Sequence, residues 1–211
     1  MRHRGSPTAG DRKTPLEGKR RTLRLTIDTL PDDWPTFERR LRASRGEGGA
    51  VDVAARFESK RNRTFVYAQS PNAGLIELDE QPPLALDSDA LDITLTVAAL
   101  LSAKPVSLIQ TMRKTVVDGS NTSGFQRTSL IATDGMLETD AGPVGVDVVC
   151  LEEDSARKLD TVDGPQGQQV IYNLDRLGLP LIEIATSPDV VSPDHAKITA
   201  MALGLSLIHI S

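Results

Sequence analysis

The sequence predicts an α+β domain: a succession of short strands with flanking helices. Three observations predict it. After position 105, segments of six to eight residues that read as strands are separated by Gly, Pro, Asp and Ser. One stretch, 88–103, instead repeats with helical spacing. Aromatic residues make up only 3% of the 211 residues, so Val, Leu, Ile and Ala must build the core.

Taken in order, 22–30 (TLRLTIDTL) alternates apolar and polar, with Leu23, Leu25 and Ile27 on one face, and predicts a strand. Pro31 and Pro35 interrupt it, and 36–44 (TFERRLRAS) reads as a short basic helix. Arg45-Gly46-Glu47-Gly48-Gly49 reads as a turn. Residues 63–68 (RTFVYA) predict a strand, and 79–83 (DEQPP) a break. The helix at 88–103 has Asp87 or Ser88 to cap it, a stripe of Leu91, Leu95 and Ala98 widened by Val97 and Leu101, and Pro105 to stop it. Strands follow at 112–117, 127–133, 144–151, 169–174 and 180–186, with Asp134-Gly135 and Ala141-Gly142-Pro143 as turns. Ser192-Pro193-Asp194 opens a last helix: Ser caps, Pro suits the first turn, and Asp meets the positive helix end. No internal repeat is present.

The net charge of −5 is unevenly spread. Residues 1–24 hold eight Lys/Arg against two Asp/Glu, whereas the other 187 hold 16 against 27. An acidic body argues against broad, nonspecific nucleic-acid binding. The basic segment 1–21 has almost no large apolar residues and predicts a disordered tail. An RNA-touching arm, a solvated arm and a misread translation start all remain open for it. No apolar run reaches the ~18 residues that span a membrane. One cysteine, Cys150, excludes an internal disulfide framework and an all-cysteine zinc site. With no signal peptide either, the cytoplasm is the expected compartment. Cys150 sits in an apolar strand and reads as an inert buried thiol; His3, His195 and His209 have no evident partners.

Two segments carry candidate chemistry. Residues 112–128 (MRKTVVDGSNTSGFQRT) lead from a strand through small hydrogen-bonding residues between Gly119 and Gly124 into another strand. Such a loop can bring N–H groups and hydroxyls to an anion, with Arg113, Lys114 and Arg127 to balance its charge. A plain polar hairpin is the alternative; the Walker pattern and its helix are missing. The second is Leu151-Glu152-Glu153-Asp154 with Leu181-Ile182-Glu183-Ile184. Strand alternation puts Glu183 beside Leu181 and Ala185, among apolar neighbours, where a carboxylate needs a partner or a metal. Two strands each presenting a carboxylate could hold Mg2+ together with water and phosphate oxygens. Alternatively the acidic cluster ends a strand in solvent, and Glu183 pairs with Arg157 or Arg176.

At these residues the chain resembles the family of E-type subunits of archaeal glutamyl-tRNA(Gln) amidotransferases, relatives of the bacterial B-type subunits. The resemblance rests on 112–128, on 149–158 (VCLEEDSARK) and on 172–189 (YNLDRLGLPLIEIATSPD). It extends more weakly back to about Glu38. It implies a cradle around an antiparallel sheet, similar to the glutamine synthetase fold, truncated here to 22–204. It also implies an ATP-dependent carbon–nitrogen ligase. ATP phosphorylates the glutamyl carboxylate of Glu-tRNA(Gln), and ammonia from an asparaginase-like D-type subunit converts the acyl phosphate to the amide. By this match Glu153 (or its neighbour Glu152) and Glu183 are Mg2+ ligands, and Lys114 and Arg113 are catalytic. Ser120, Asn121, Thr122, Ser123 and Gln126 line the nucleotide or substrate pocket. The family's opening Gly-Leu-Glu-Ile-His strand is not found in the chain. Residues 205–211 (LSLIHIS) resemble a translated sequencing adapter and are set apart. The expectation is therefore a partial kinase site without turnover of its own, or alternatively a binding module that keeps only contacts to the D-type subunit or tRNA.

Overall fold

The structure, a computed structural model, describes residues 34–41, 50–165 and 167–208. Two sheets and three helices are seen among these residues. The expected strand at 22–30 and the turn at 45–49 lie outside them. No described helix is long and apolar enough to cross a membrane.

The first sheet runs, in spatial order, through strands at 36–39, 63–68, 167–173 and 157–164. Strand β1, Thr36–Arg39, replaces the basic helix expected at 36–44. Its pairing decides this: Phe37 lies opposite Tyr67 and stacks on it at 5.1 Å, a contact a solvated helix would forgo. Strand β2, Arg63–Ala68, falls where the sequence predicts. Before it comes a helix the sequence did not suggest, α1 (Val53–Glu58), capped by Asp52. Strand β7, Arg157–Gly164, is likewise unexpected; it is an edge strand of mostly exposed residues paired with β8, Gly167–Asn173. β2 and β8 run parallel, the one parallel pair among the described strands. Four of the chain's seven aromatic residues, Phe37, Phe65, Tyr67 and Tyr172, gather on this sheet.

The second sheet joins β5 (Phe125–Leu137), β6 (Val144–Glu153) and β9 (Pro180–Thr186), with β3 (Lys104–Pro105) and β4 (Thr111–Thr115) both paired to β5. β5 continues through Asp134-Gly135, which the sequence marks as a turn, with Asp134 at φ +54°. Gly135 instead permits a close approach: a Cβ there would lie 2.9 Å from the Leu101 carbonyl oxygen and 3.0 Å from Ala103 Cβ. The expected turn at Ala141-Gly142 does close the β5–β6 hairpin, with Gly142 at φ +108°.

Helix α2, Ser88–Leu100, has Asp87 as its cap, accepting from the Ala90 N–H at 2.7 Å. Its end precedes Pro105; Ser102 turns the chain at φ +53° into β3. Val97, Ala98 and Leu101 pack on Ala132, Val146 and Val149. Burying each of the larger of these side chains contributes about 1.5–3 kcal/mol. Helix α3, Pro193–Leu207, is capped by Ser192 as expected and adds Ala202, Leu203 and Leu207 to the same core. It continues through Gly204 without a break.

Asp154 ties the corner after β6 to the turn before β9. Its side chain accepts from Arg157 at 2.8 Å and Arg176 at 3.0 Å, and its backbone bonds both Gly178 and Leu179. Asp154→Ala is expected to destabilise the domain by about 2 kcal/mol, because the Ser155 N–H and two guanidinium groups lose their shared carboxylate acceptor. Urea unfolding checks this; a loss under about 0.5 kcal/mol, the value of an ordinary surface change, would count against it.

Candidate functional site

Alternation along the second sheet brings Lys114 of β4, Gln126 and Thr128 of β5, Cys150 and Glu152 of β6 and Glu183 of β9 onto one face. The register fixes this: Lys114 lies opposite Gln126, Thr128 opposite Glu152 and Cys150 opposite Glu183. Met112, Lys114, Leu181 and Glu183 are substantially exposed, so this face is uncovered around the cluster.

Glu152 is its centre and is only 4% exposed. Its Oε1 accepts from Lys114 Nζ at 2.6 Å and Thr128 Oγ1 at 2.8 Å, and its Oε2 from Gln126 Nε2 at 3.1 Å. Gln126 Nε2 also donates to the Glu153 carbonyl at 2.8 Å, which holds the amide in place. Lys114 Nζ lies 3.5 Å from Glu183 Oε2 as well, so one ammonium bridges two carboxylates. The electrostatics follow. Burial pushes the Glu152 carboxyl up, but the bonds from Lys114, Thr128 and Glu183 hold it below the usual glutamate range. A hydrogen bond to Glu152, then burial and the Glu152 charge, push Glu183 up. The hydrogen bond to Glu152 raises Lys114. Glu152 is thus the carboxylate held ionised, and Glu183 the one more readily protonated.

This arrangement differs from the sequence expectation in a definite way. Glu183 is not buried among apolar neighbours; its side chain is 45% exposed, and the buried carboxylate is Glu152. Glu183 meets Lys114, while Arg157 and Arg176 go to Asp154. Glu153 projects from the opposite face, ion-paired to Arg127, beside a cavity of about 270 Å3 lined also by Leu84, Leu151 and Pro180. Arg127 reaches the Leu84 carbonyl too. Arg113 shares that reverse face, its guanidinium 5.6 Å over the Phe125 ring. The structure therefore brings Glu152, Glu183, Lys114 and Gln126 together and leaves Glu153 and Arg113 apart. Among the described residues no group of three or more His, Cys, Asp or Glu is placed to hold a metal.

The loop at 118–124 lies between the sheets. Ser120 Oγ donates to Asp118 Oδ1 at 2.7 Å, Thr122 Oγ1 to the Glu77 carbonyl at 2.8 Å and Ser123 Oγ to the Phe125 carbonyl at 3.0 Å. Asn121 is buried and accepts from Ser155 Oγ at 3.0 Å. These side chains are engaged within the protein, so the loop acts here as a strut. Two residues that sequence reasoning missed hold it: Tyr67 donates to the Gly119 carbonyl at 2.6 Å and Tyr172 to the Asp118 carbonyl at 2.7 Å. Burial raises both phenols, Tyr172 to about 12, so both remain donors at neutral pH. Thr128 was missed as well; reading β5 alternation outward from Gln126 would have placed it. Cys150 is buried and burial raises its thiol, as an inert cysteine requires.

Fold and site together define an α+β domain that presents a lysine-bridged carboxylate pair on an uncovered sheet face. Comparison supplies the family. The chain belongs to the GatB/GatE catalytic domain family, whose model matches residues 54–211 and so contains every residue of the cluster. It is 50% identical over 173 residues to the E-type subunit of the glutamyl-tRNA(Gln) amidotransferase of Pyrococcus furiosus, covering 82% of this chain and 27% of that protein. It is 48% identical over 183 residues to the corresponding protein of Methanosarcina barkeri (87% and 28%) and 45% identical over 185 residues to that of Thermoplasma volcanium (88% and 30%). The chain thus spans less than a third of the length of these relatives.

Proposed function

We propose that this domain forms part of the kinase site of a cytoplasmic, ATP-dependent glutamyl-tRNA(Gln) amidotransferase. In that reading the γ-phosphoryl of ATP passes to the glutamyl side-chain carboxylate of Glu-tRNA(Gln). Ammonia from the asparaginase-like D-type subunit then attacks the acyl phosphate, releasing phosphate and leaving Gln-tRNA(Gln). The sheet would belong to a cradle similar to that of glutamine synthetase.

One observation carries the proposal: in a member of this family, Glu152 and Glu183 already share a cation on an uncovered sheet face. That donor set fits Mg2+, which takes one or two carboxylates and completes its shell with water and phosphate oxygens. Glu152 and Glu183 are the residues that would hold it; once bound, it supplies neutralisation of phosphate charge. The chain's own groups do the rest. Thr128 and Gln126 fix the orientation of Glu152. Lys114 offers a positive charge at the same face. The 118–124 strut, held by Tyr67 and Tyr172, sets the position of β4 relative to the first sheet. Glu153 and Arg113 lie on the reverse face and take no part in this proposal.

Titration calorimetry of ATP in the presence and absence of Mg2+ tests it. Binding is expected to require Mg2+, to be lost in Glu183→Gln and to persist in Glu153→Gln. Nucleotide-independent capture of the D-type subunit with no ATP binding would instead make the domain a binding module.

A further inference from the structure

We propose that Lys114 is an exchangeable counter-cation: its ammonium holds Glu152 and Glu183 together in the metal-free protein and is displaced onto the open face when a divalent cation enters. The proposal rests on the reading of these two carboxylates as cation ligands.

The geometry points to competition for the same oxygens. Lys114 Nζ is 2.6 Å from Glu152 Oε1 and 3.5 Å from Glu183 Oε2, the place a shared cation would take. Glu152 Oε1 already takes two donors, the ammonium among them, and Oε2 a third, so a cation drawn to Oε1 competes directly with Lys114. Thr128 and Gln126 are neutral and can stay beside a divalent ion. The ammonium cannot, since two positive centres a few ångströms apart repel. Lys114 is also free to leave. Its side chain is 47% exposed and its flexible four-carbon stem stands on an uncovered face. Arg113 and Arg127, its neighbours in sequence and in register, offer no substitute, because both are engaged on the reverse face.

Exchange has two linked consequences. The lysine weakens divalent-ion binding by occupying the site, and ion binding releases the lysine; the coupling is reciprocal. It also gives the site a stable metal-free form. When both carboxylates are ionised they repel, and the ammonium bridges them until it is replaced. Once released, the same charge stands on the face where phosphate oxygens would arrive.

The test uses the full chain and Mn2+ as probe, titrated without nucleotide. Lys114→Met is expected to bind Mn2+ about tenfold more tightly than the unaltered protein, the effect of removing one competing charge. Lys114→Arg, which keeps the charge, is expected to bind no more tightly than the unaltered protein. In the unaltered protein, saturating Mg2+ is expected to increase acetylation of Lys114 by an amine-reactive reagent, read by mass spectrometry, and in Glu183→Gln it is not. Circular dichroism confirms that each variant is folded. Equal or weaker Mn2+ binding by folded Lys114→Met, with binding intact in the unaltered protein, overturns the exchange alone. So does a Lys114 reactivity that ignores Mg2+. An unaltered protein that binds no divalent ion overturns the reading of the carboxylates, and the exchange with it.

Discussion

Gly119→Ala is expected to destabilise the domain by about 3 kcal/mol, combining left-handed backbone strain with steric overlap in a packed core. Gly119 has φ +85°, and a Cβ there would fall 2.3 Å from Phe65 Cδ1 and 2.5 Å from Cγ. Phe65 cannot yield easily, because it is buried in the aromatic cluster with Tyr67 and Tyr172. Gly124, at the other end of the loop, provides the control. Its φ is +78°, but a Cβ would meet nothing within 4 Å. Gly124→Ala is therefore expected to cost about 1 kcal/mol, the backbone share alone. Urea unfolding of both variants separates the two effects. Equal losses would show that the Phe65 contact is not what reserves position 119 for glycine.

The second large effect contrasts the two carboxylates. Glu152→Ala removes the acceptor for Lys114, Thr128 and Gln126 and is expected to cost about 2 kcal/mol at neutral pH. Glu183→Gln is expected to leave stability unchanged or raise it slightly. The sign follows from the shifts. The Glu152 carboxyl is lowered, so its contribution is present above the ordinary glutamate range and is lost as pH falls through its folded value. The Glu183 carboxyl is raised, so its contribution is present at low pH and is lost as pH rises through its folded value. Thermal melts at pH 8 and pH 4 check both. Glu183→Gln should match or exceed the unaltered protein at pH 8, with any advantage gone at pH 4. Because Glu183 is half-exposed, solvent keeps that advantage small. A marked loss of stability at pH 8 in Glu183→Gln would refute the assignment of roles within the pair.

Three strands of the second sheet were legible because each carries its own apolar pattern: β5, β6 and β9 all begin or end within a few residues of expectation, apart from the extension of β5 through Gly135. Helix α2 was legible through its stripe and its Asp87 cap. Strands β1 and β7 were not. They are edge strands of four and eight largely polar residues, and pairing with β2 and β8 makes them extended. The site was half legible for a related reason. Both acidic strands stand out in the sequence, but whether Glu152 or Glu153 faces Glu183 depends on strand register, which only pairing reveals. Lys114 entered as a flanking cation, and its place between the carboxylates required β4 to be paired with β5. The hydroxyls of the 118–124 loop suggested an anion cradle; the partners they have in the fold, the distant Glu77 carbonyl for Thr122 and the nearby Phe125 carbonyl for Ser123, could not be read from the pattern.

The parallel pairing of β2 with β8 also sets an order of events on the ribosome. Arg63 and Gln168, which face each other across that pair, are 105 residues apart in the chain. At about 5–20 residues per second, β2 waits about 5–20 s with that edge unpartnered before β8 has been made. The β5–β6 hairpin needs only its own short turn and can close in the meantime. Both strands of the β5–β6 pair are thus made before β8 completes the aromatic sheet that steadies the 118–124 strut, and until then the β2 edge is an unpaired template for other strands.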